Sequence, residues 1–256
     1  MESAVADELR RLAAKYETDA FMTDGSGDPS LFLRAVEGDA NREATAFVAA
    51  CLSFGSRSQF IPRIREIVAD ACGDVDGWIR RGSFAASFRA DDDSCFYRFF
   101  TRADMHAFFA AYRDLMARHG TLGEYVCSRA GGDGKRAVEA ICAAFGHTKP
   151  VPADAKSACK RVCMFLRWMV RSDSPVDLGL WSSFIDRRTL VMPLDVHVLN
   201  QSIRLGLLKS RCASMASAVR LTRSLAEVFP DDPLKGDFAL FGYGVNESSP
   251  GEVSNR

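Results

Sequence analysis

Nine stretches of this chain repeat apolar residues at three- and four-residue spacing, and none alternates apolar with polar residues long enough to build a sheet. That property limits the fold to packed helices, an all-α class. The stretches are 5–16, 42–54, 58–72, 102–118, 135–145, 155–171, 195–207, 214–228 and 233–243. Several carry boundary signals. Thr101-Arg102-Ala103-Asp104 has the pattern of a capping box. Gly120 stops the helix ending Ala117-Arg118-His119, and Asp232-Pro233 reads as an N-cap with a first-turn proline. Breaks fall at 23–30, 131–134, 146–154 and 172–193; the last contains Leu178-Gly179-Leu180-Trp181, expected to form a short helix. A chain of 256 residues, 47% of them apolar, suffices for one large domain or two small lobes. We expect an N-terminal helix and linker over 1–27, a helical body over 28–245 and a disordered tail over 246–256.

No run approaches the roughly 20 apolar residues of a membrane span. The chain begins with acids where a secretory leader would carry bases, so a soluble, cytoplasmic protein is expected. Its eight cysteines are scattered, without a C-x-x-C pair, and read as small core hydrophobes. Cys159 and Cys163 lie one helical turn apart, but no neighbouring His or Cys completes four ligands, so no metal is expected. Net charge is zero, yet its distribution is uneven. Between Pro150 and Arg223 twelve Lys and Arg face five Asp, a local excess of seven positive charges that suits a polyanion without requiring one. The phenylalanines Phe96, Phe99, Phe100, Phe108 and Phe109 are expected in the core.

The sharpest chemical signal runs from Ser157 to Arg171. Cys159, Val162, Cys163, Leu166, Met169 and Val170 form a core stripe, while Lys160, Met164, Arg167 and Arg171 follow at i, i+4, i+7 and i+11 on another face. Apolar surroundings favour the neutral amine of a lysine, the form that acts as a nucleophile. A lysine that lays its alkyl stem over apolar surface and keeps its ammonium in water explains the same pattern. The second signal is Met192-Pro193-Leu194-Asp195-Val196-His197, which places Asp195 at a helix N-cap. Backbone N–H groups there stabilise the helix and also keep the carboxylate ionised. Such a fixed negative charge can stabilise a sugar cation.

A lysine some three dozen residues before a Pro-Leu-Asp-Val-His helix start resembles the helix-hairpin-helix DNA glycosylase superfamily. More closely, the chain is similar to the DUF2400 family. The resemblance is carried by Ser157-Ala158-Cys159-Lys160-Arg161, the Met164–Arg171 string, Pro193-Leu194-Asp195 and Asp237-Phe238-Ala239-Leu240-Phe241-Gly242, over about 28–245. It implies two helical lobes with a cleft between them. By resemblance to 8-oxoguanine glycosylase/lyases, including the archaeal kind, Lys160 matches the Schiff-base lysine and Asp195 the catalytic aspartate. Met164 matches a residue lying against the flipped base, and Asp237 and Phe241 match its polar contact and stacking partner. Taken alone, Asp237 reads as a surface acid and Phe241 as a core residue.

The same likeness implies DNA contacts by Lys156, Ser157, Arg161, Ser56, Arg57 and His197. The hairpin departs from the usual Leu-Pro-Gly-Val-Gly-x-Lys, because Lys156-Ser157-Ala158-Cys159-Lys160 lacks the glycines that let backbone approach a phosphate. Asn200-Gln201 stands where an arginine is usual, and nothing after Cys212 supplies an iron–sulfur loop. The turn Cys51–Gln59 resembles one that such enzymes push into the duplex; an ordinary interhelical turn fits it too. The expected activity is excision of 8-oxoguanine from double-stranded DNA with a lyase step, by a cofactor-free monomer located at the nucleoid. The alternatives are a non-catalytic DNA-binding module on the same scaffold, and a glycosylase or lyase for another lesion.

Overall fold

The computed structural model describes residues 3–18 and 28–246. Most of the 23–30 break and nearly all of the expected tail lie outside these residues. The chain is mostly helical. The α-helices among the described residues are α1 (Ser3–Tyr16), α2 (Leu31–Arg34), α3 (Asp39–Leu52), α4 (Arg57–Asp70), α5 (Val75–Arg80), α6 (Arg102–His119), α7 (Leu122–Ala130), α8 (Gly134–Phe145), α9 (Lys160–Val170), α10 (Val196–Arg204), α11 (Met215–Ala226) and α12 (Lys235–Asn246). One small antiparallel hairpin, β1 (Cys95–Tyr97) and β2 (Phe100–Thr101), precedes α6. No helix among the described residues is long and apolar enough to cross a membrane.

Helix α3 is the central element. Every residue from Glu43 to Leu52 is buried, because its alanines let neighbouring helices close in on all sides. Phe47 anchors the core at ring distances of 5.6 Å to Phe108, 5.4 Å to Tyr112, 4.9 Å to Phe145 and 5.1 Å to Phe165. These rings bring α6, α8 and α9 against α3. Glu43 is the one acid in the buried run, and it is fully engaged: its carboxylate accepts from Leu122 N (2.9 Å), Gly123 N (3.1 Å) and Trp181 Nε1 (2.9 Å). Burial pushes its carboxyl up to about 7 against the pull of those three donors. Glu43→Ala strands all three donors, so a loss of about 3 kcal/mol is expected, read from the urea midpoint. Glu43→Gln keeps an acceptor and is expected to cost about 1 kcal/mol.

The expected capping box at Thr101–Asp104 and the stop at Gly120 (φ +85°) are present. Three local expectations need correction. The helix expected over 155–171 begins only at Lys160, because the preceding residues serve α11: Ser157 bridges to Ser214, and Lys156 O accepts from Met215 N at 3.1 Å. Leu178–Trp181 is not a helix: Leu178 and Gly179 have no regular structure, and a turn begins at Leu180. The amides of Leu178 and Trp181 satisfy the free carbonyls of Trp168 (2.8 Å) and Met169 (2.6 Å) at the end of α9. Asp232 does not cap α12, since its carboxylate is taken by Arg171 (3.0 and 2.8 Å).

Arg171 belongs to a buried ionic cluster that ties distant segments to the end of α9. It also meets Asp177 at 2.5 Å and Glu17, just after α1, at 2.5 Å. Arg167 adds contacts to Asp177 (3.2 Å) and Asp237. Helix α12 packs on α1 and α10. Gly242 permits the first contact, because a Cβ there would stand 2.3 Å from the Tyr16 ring. The cysteines divide: Cys51, Cys142, Cys159 and Cys163 are buried as expected, whereas Cys72, Cys95, Cys127 and Cys212 are exposed.

Candidate active site

The chain enters α9 through Cys159, whose φ of +45° lies in the left-handed region. That conformation costs a residue with a side chain about 1 kcal/mol, and it makes Lys160 the first residue of the helix. At the other side, Pro193 and Leu194 lead extended chain into α10, with Asp195 as its N-cap. The two oxygens of Asp195 divide their work. Oδ1 accepts from Val198 N at 2.8 Å, and Oδ2 stands 3.4 Å from Lys160 Nζ. The helix cap therefore fixes the carboxylate that faces the amine. The lysine side chain is 36% exposed and the aspartate 11%, so the pair lies at a boundary between protein and solvent.

Both residues line a cavity of about 660 Å³. Met164 and Arg167 extend the Lys160 stripe along its wall, and Phe241, Asp237, His197 and Arg57 complete it from three other helices. Phe241 meets His197 edge-on at 6.1 Å, and the Arg57 guanidinium lies 5.9 Å over its ring. Asp237 is buried and ion-paired with Arg167. Burial pushes its carboxyl above the ordinary range; Arg167 opposes that push and the charge of Asp195 adds to it. Trp168 also lines the wall, and its indole N–H has no hydrogen-bond partner among the described residues. An amine beside a carboxylate, in a cavity with an aromatic wall and several polar groups, can attack an electrophilic carbon and hold the positive charge that results.

A family model described as a protein of unknown function, DUF2400, matches residues 28–246. The chain belongs to the DUF2400 family. No curated protein and no solved structure matches it. The matched span of this DUF2400 chain contains the whole cavity lining, from Asp28 to Gly244.

Seven of the eleven residues singled out in the sequence line the cavity: Lys160, Asp195, Asp237, Phe241, Met164, Arg57 and His197. Four do not. Lys156 is exposed and ion-paired with Asp154 (3.2 Å), while Ser157 Oγ lies 3.5 Å from Cys159 Sγ. Ser56 Oγ contacts Ser58 Oγ at 2.8 Å beside the rim. Arg161 turns inward, donates to Cys51 O at 2.6 Å and stacks 4.9 Å over Phe54; burial lowers its pKa. Asp237 is no surface acid.

The wall of this DUF2400 cavity includes residues that sequence reasoning left without a role in a site: Phe54, Trp168 and Arg167. Arg167 was on the Lys160 stripe, so its spacing was a usable signal. Phe54 falls in the Cys51–Gln59 turn and Trp168 in the string that carries the family likeness, and neither position by itself points to the cavity. The basic excess between 150 and 223 is also partly spent, because Arg167 and Arg171 are buried against acids from outside that segment. No group of three or more His, Cys, Asp or Glu among the described residues could hold a metal ion.

Proposed function

We propose that this protein is a base-excision DNA glycosylase with an associated lyase step, built on a helix-hairpin-helix glycosylase scaffold whose two helical lobes flank the cavity. The observation that carries the reading is the 3.4 Å approach of Lys160 Nζ to a helix-capping Asp195 at the wall of a cavity lined by Phe241 and Met164. The cavity volume falls within the range of about 300–1,000 Å³ usual for small-molecule sites, enough for a flipped base and its sugar. Turning a nucleotide out of the duplex costs a few kcal/mol of stacking and pairing, which favours damaged bases.

The everted base lies between Phe241 and Met164. It displaces Arg57 from the Phe241 ring, a contact worth only about 0.5–1 kcal/mol. The Asp237–Arg167 pair presents both an acceptor and donors to the base edge. Asp195 takes a proton from the Lys160 ammonium. The amine attacks C1′, the glycosidic bond breaks, and the base leaves with its electron pair and takes up the proton that Asp195 received, which returns Asp195 to the carboxylate form. Asp195 stabilises the positive charge that develops on the sugar. The C1′ N,O-acetal then opens to an imine as the C1′–O4′ bond breaks and the proton on nitrogen passes to O4′, and loss of the C2′ proton expels the 3′-phosphate and nicks the strand. The preferred lesion is 8-oxoguanine, by analogy with the glycosylases that the motifs resemble.

The test is a duplex carrying 8-oxoguanine opposite cytosine, with free base and nicked strand measured separately. Release of 8-oxoguanine together with a β-elimination product is expected. Tight binding that weakens steeply with salt, without either product, would contradict the enzyme reading and favour a DNA-binding module.

A further inference from the structure

Three of the four aromatic residues in the β1–β2 hairpin enter the core, Phe96, Tyr97 and Phe100, and the fourth does the opposite. Phe99 is 63% exposed, which corrects its assignment to the core. It sits in a two-residue loop, Arg98-Phe99, between the paired residues Tyr97 and Phe100. Arg98 has a φ of +51°, at a loop position where such turns prefer Gly or Asn. The ring is nonetheless held firmly. Its centroid lies 5.1 Å from Phe54 and 4.8 Å from Phe100. Tyr97 hydroxyl donates to the Phe54 carbonyl, fastening the hairpin to the turn that begins α4.

Phe54 lines the cavity, so the exposed ring stands one aromatic layer from the candidate site. Two cations flank the Phe54 ring on which Phe99 packs. The Arg98 and Arg161 guanidiniums lie 5.9 and 4.9 Å from the Phe54 ring, and neither pairs with a carboxylate among the described residues. Arg98 reaches the Gln59 amide oxygen at 3.5 Å and hydrogen-bonds with the Tyr97 side chain. A flat, exposed ring beside the Arg98 guanidinium is complementary to stacked bases between phosphates, and apolar wedges of this kind unstack base steps.

We propose that the Arg98-Phe99 loop is a wedge for duplex DNA. Phe99 enters the base stack beside the nucleotide turned into the cavity, and Arg98 contacts a flanking phosphate. This rests on the reading of the cavity as a base pocket, and it assigns the filling of the vacated space to the hairpin rather than to the Cys51–Gln59 turn alone.

The test uses the full chain and duplexes with 2-aminopurine next to a stable abasic analogue. Wild-type protein is expected to raise the fluorescence about threefold at saturation as the neighbour unstacks. Phe99→Ala is expected to leave it at the level of free duplex, and Phe99→Trp to restore it. Unchanged melting temperatures establish that both variants fold. Borohydride trapping on true abasic sites runs beside it. Phe99→Ala is expected to trap about tenfold more slowly on duplex, yet within about twofold of wild type on a single strand, where no stack is opened. Equal fluorescence from wild type and Phe99→Ala overturns the wedge, as does the absence of any rise with wild type. Trapping retained in either case leaves the Schiff-base reading intact, and a wild type that brightens the probe but never traps keeps the wedge and removes that chemistry. An unaltered DNA titration with self-association abolished by Phe99→Ala would assign the tip to a second copy of the chain.

Discussion

Lys160→Gln is expected to lower base release and strand cleavage under single-turnover conditions by about 10³-fold or more, because it removes the only group that forms the covalent intermediate. Glutamine keeps most of the alkyl stem against the wall of α9, and the side chain is already one-third exposed, so the melting temperature should change little. Asp195→Asn is the informative companion. Its amide oxygen still accepts from Val198 N and preserves the cap, but the charge facing Lys160 is lost. A fall of about 10²-fold in rate at nearly wild-type stability is expected. Asp195→Ala loses the cap as well and should cost about 1 kcal/mol in addition. A purely structural Lys160–Asp195 pair gives the reverse pattern, with stability falling and no dependence of product formation on either residue.

The largest stability loss is expected from Arg171→Leu, at about 3–5 kcal/mol. Arg171 is 1% exposed and is the shared partner of Asp232, Asp177 and Glu17. Replacing it removes the charge that offsets the desolvation of those acids, and the Asp177 carboxylate, with no exposed area, keeps only Arg167. Burial alone favours a neutral guanidine. The hydrogen bonds to Asp232 and the charges of Asp177, Asp232 and Glu17 overcome it and hold the pKa above the usual value. Urea denaturation of the single variants and of Arg171→Leu/Asp232→Leu forms a cycle: the double variant should recover part of the loss, since it removes both a buried cation and one of its anions. Simple addition of the two single losses would show that the cluster does not act as a unit.

Sequence patterning points to nine of the helices because each buries a regular set of apolar residues, and burial is what periodicity records. It failed where local hydrogen bonding decided the outcome. Helix α9 starts at 160 rather than 155 because Lys156 and Ser157 pair with Met215 and Ser214 at the start of α11, a contact between segments more than fifty positions apart. Helices α5 and α7 are short and contain Gly77 and Gly123, so their caps, Asp74 and Thr121, define them better than any apolar stripe. The site was legible to a greater degree. The i, i+4, i+7 stripe beginning at Lys160 correctly placed Lys160, Met164 and Arg167 on one face, and the Pro-Leu-Asp start correctly marked a cap. That the lysine and aspartate meet depends on tertiary packing, which 35 intervening positions do not determine. Phe99 departs from the core for a related reason: a hairpin loop of two residues reverses the direction of the chain without leaving a periodic trace.

The most direct measurement of the central claim is borohydride trapping followed by peptide mapping. The protein is incubated with duplexes that carry 8-oxoguanine, an abasic site or no lesion, then reduced, digested and sequenced by mass spectrometry. A covalent DNA remnant on the 8-oxoguanine duplex, mapped to Lys160 and absent with Lys160→Gln, is the predicted result. A folded wild-type protein that gives no adduct on any duplex, or an adduct mapped to another lysine, contradicts the account.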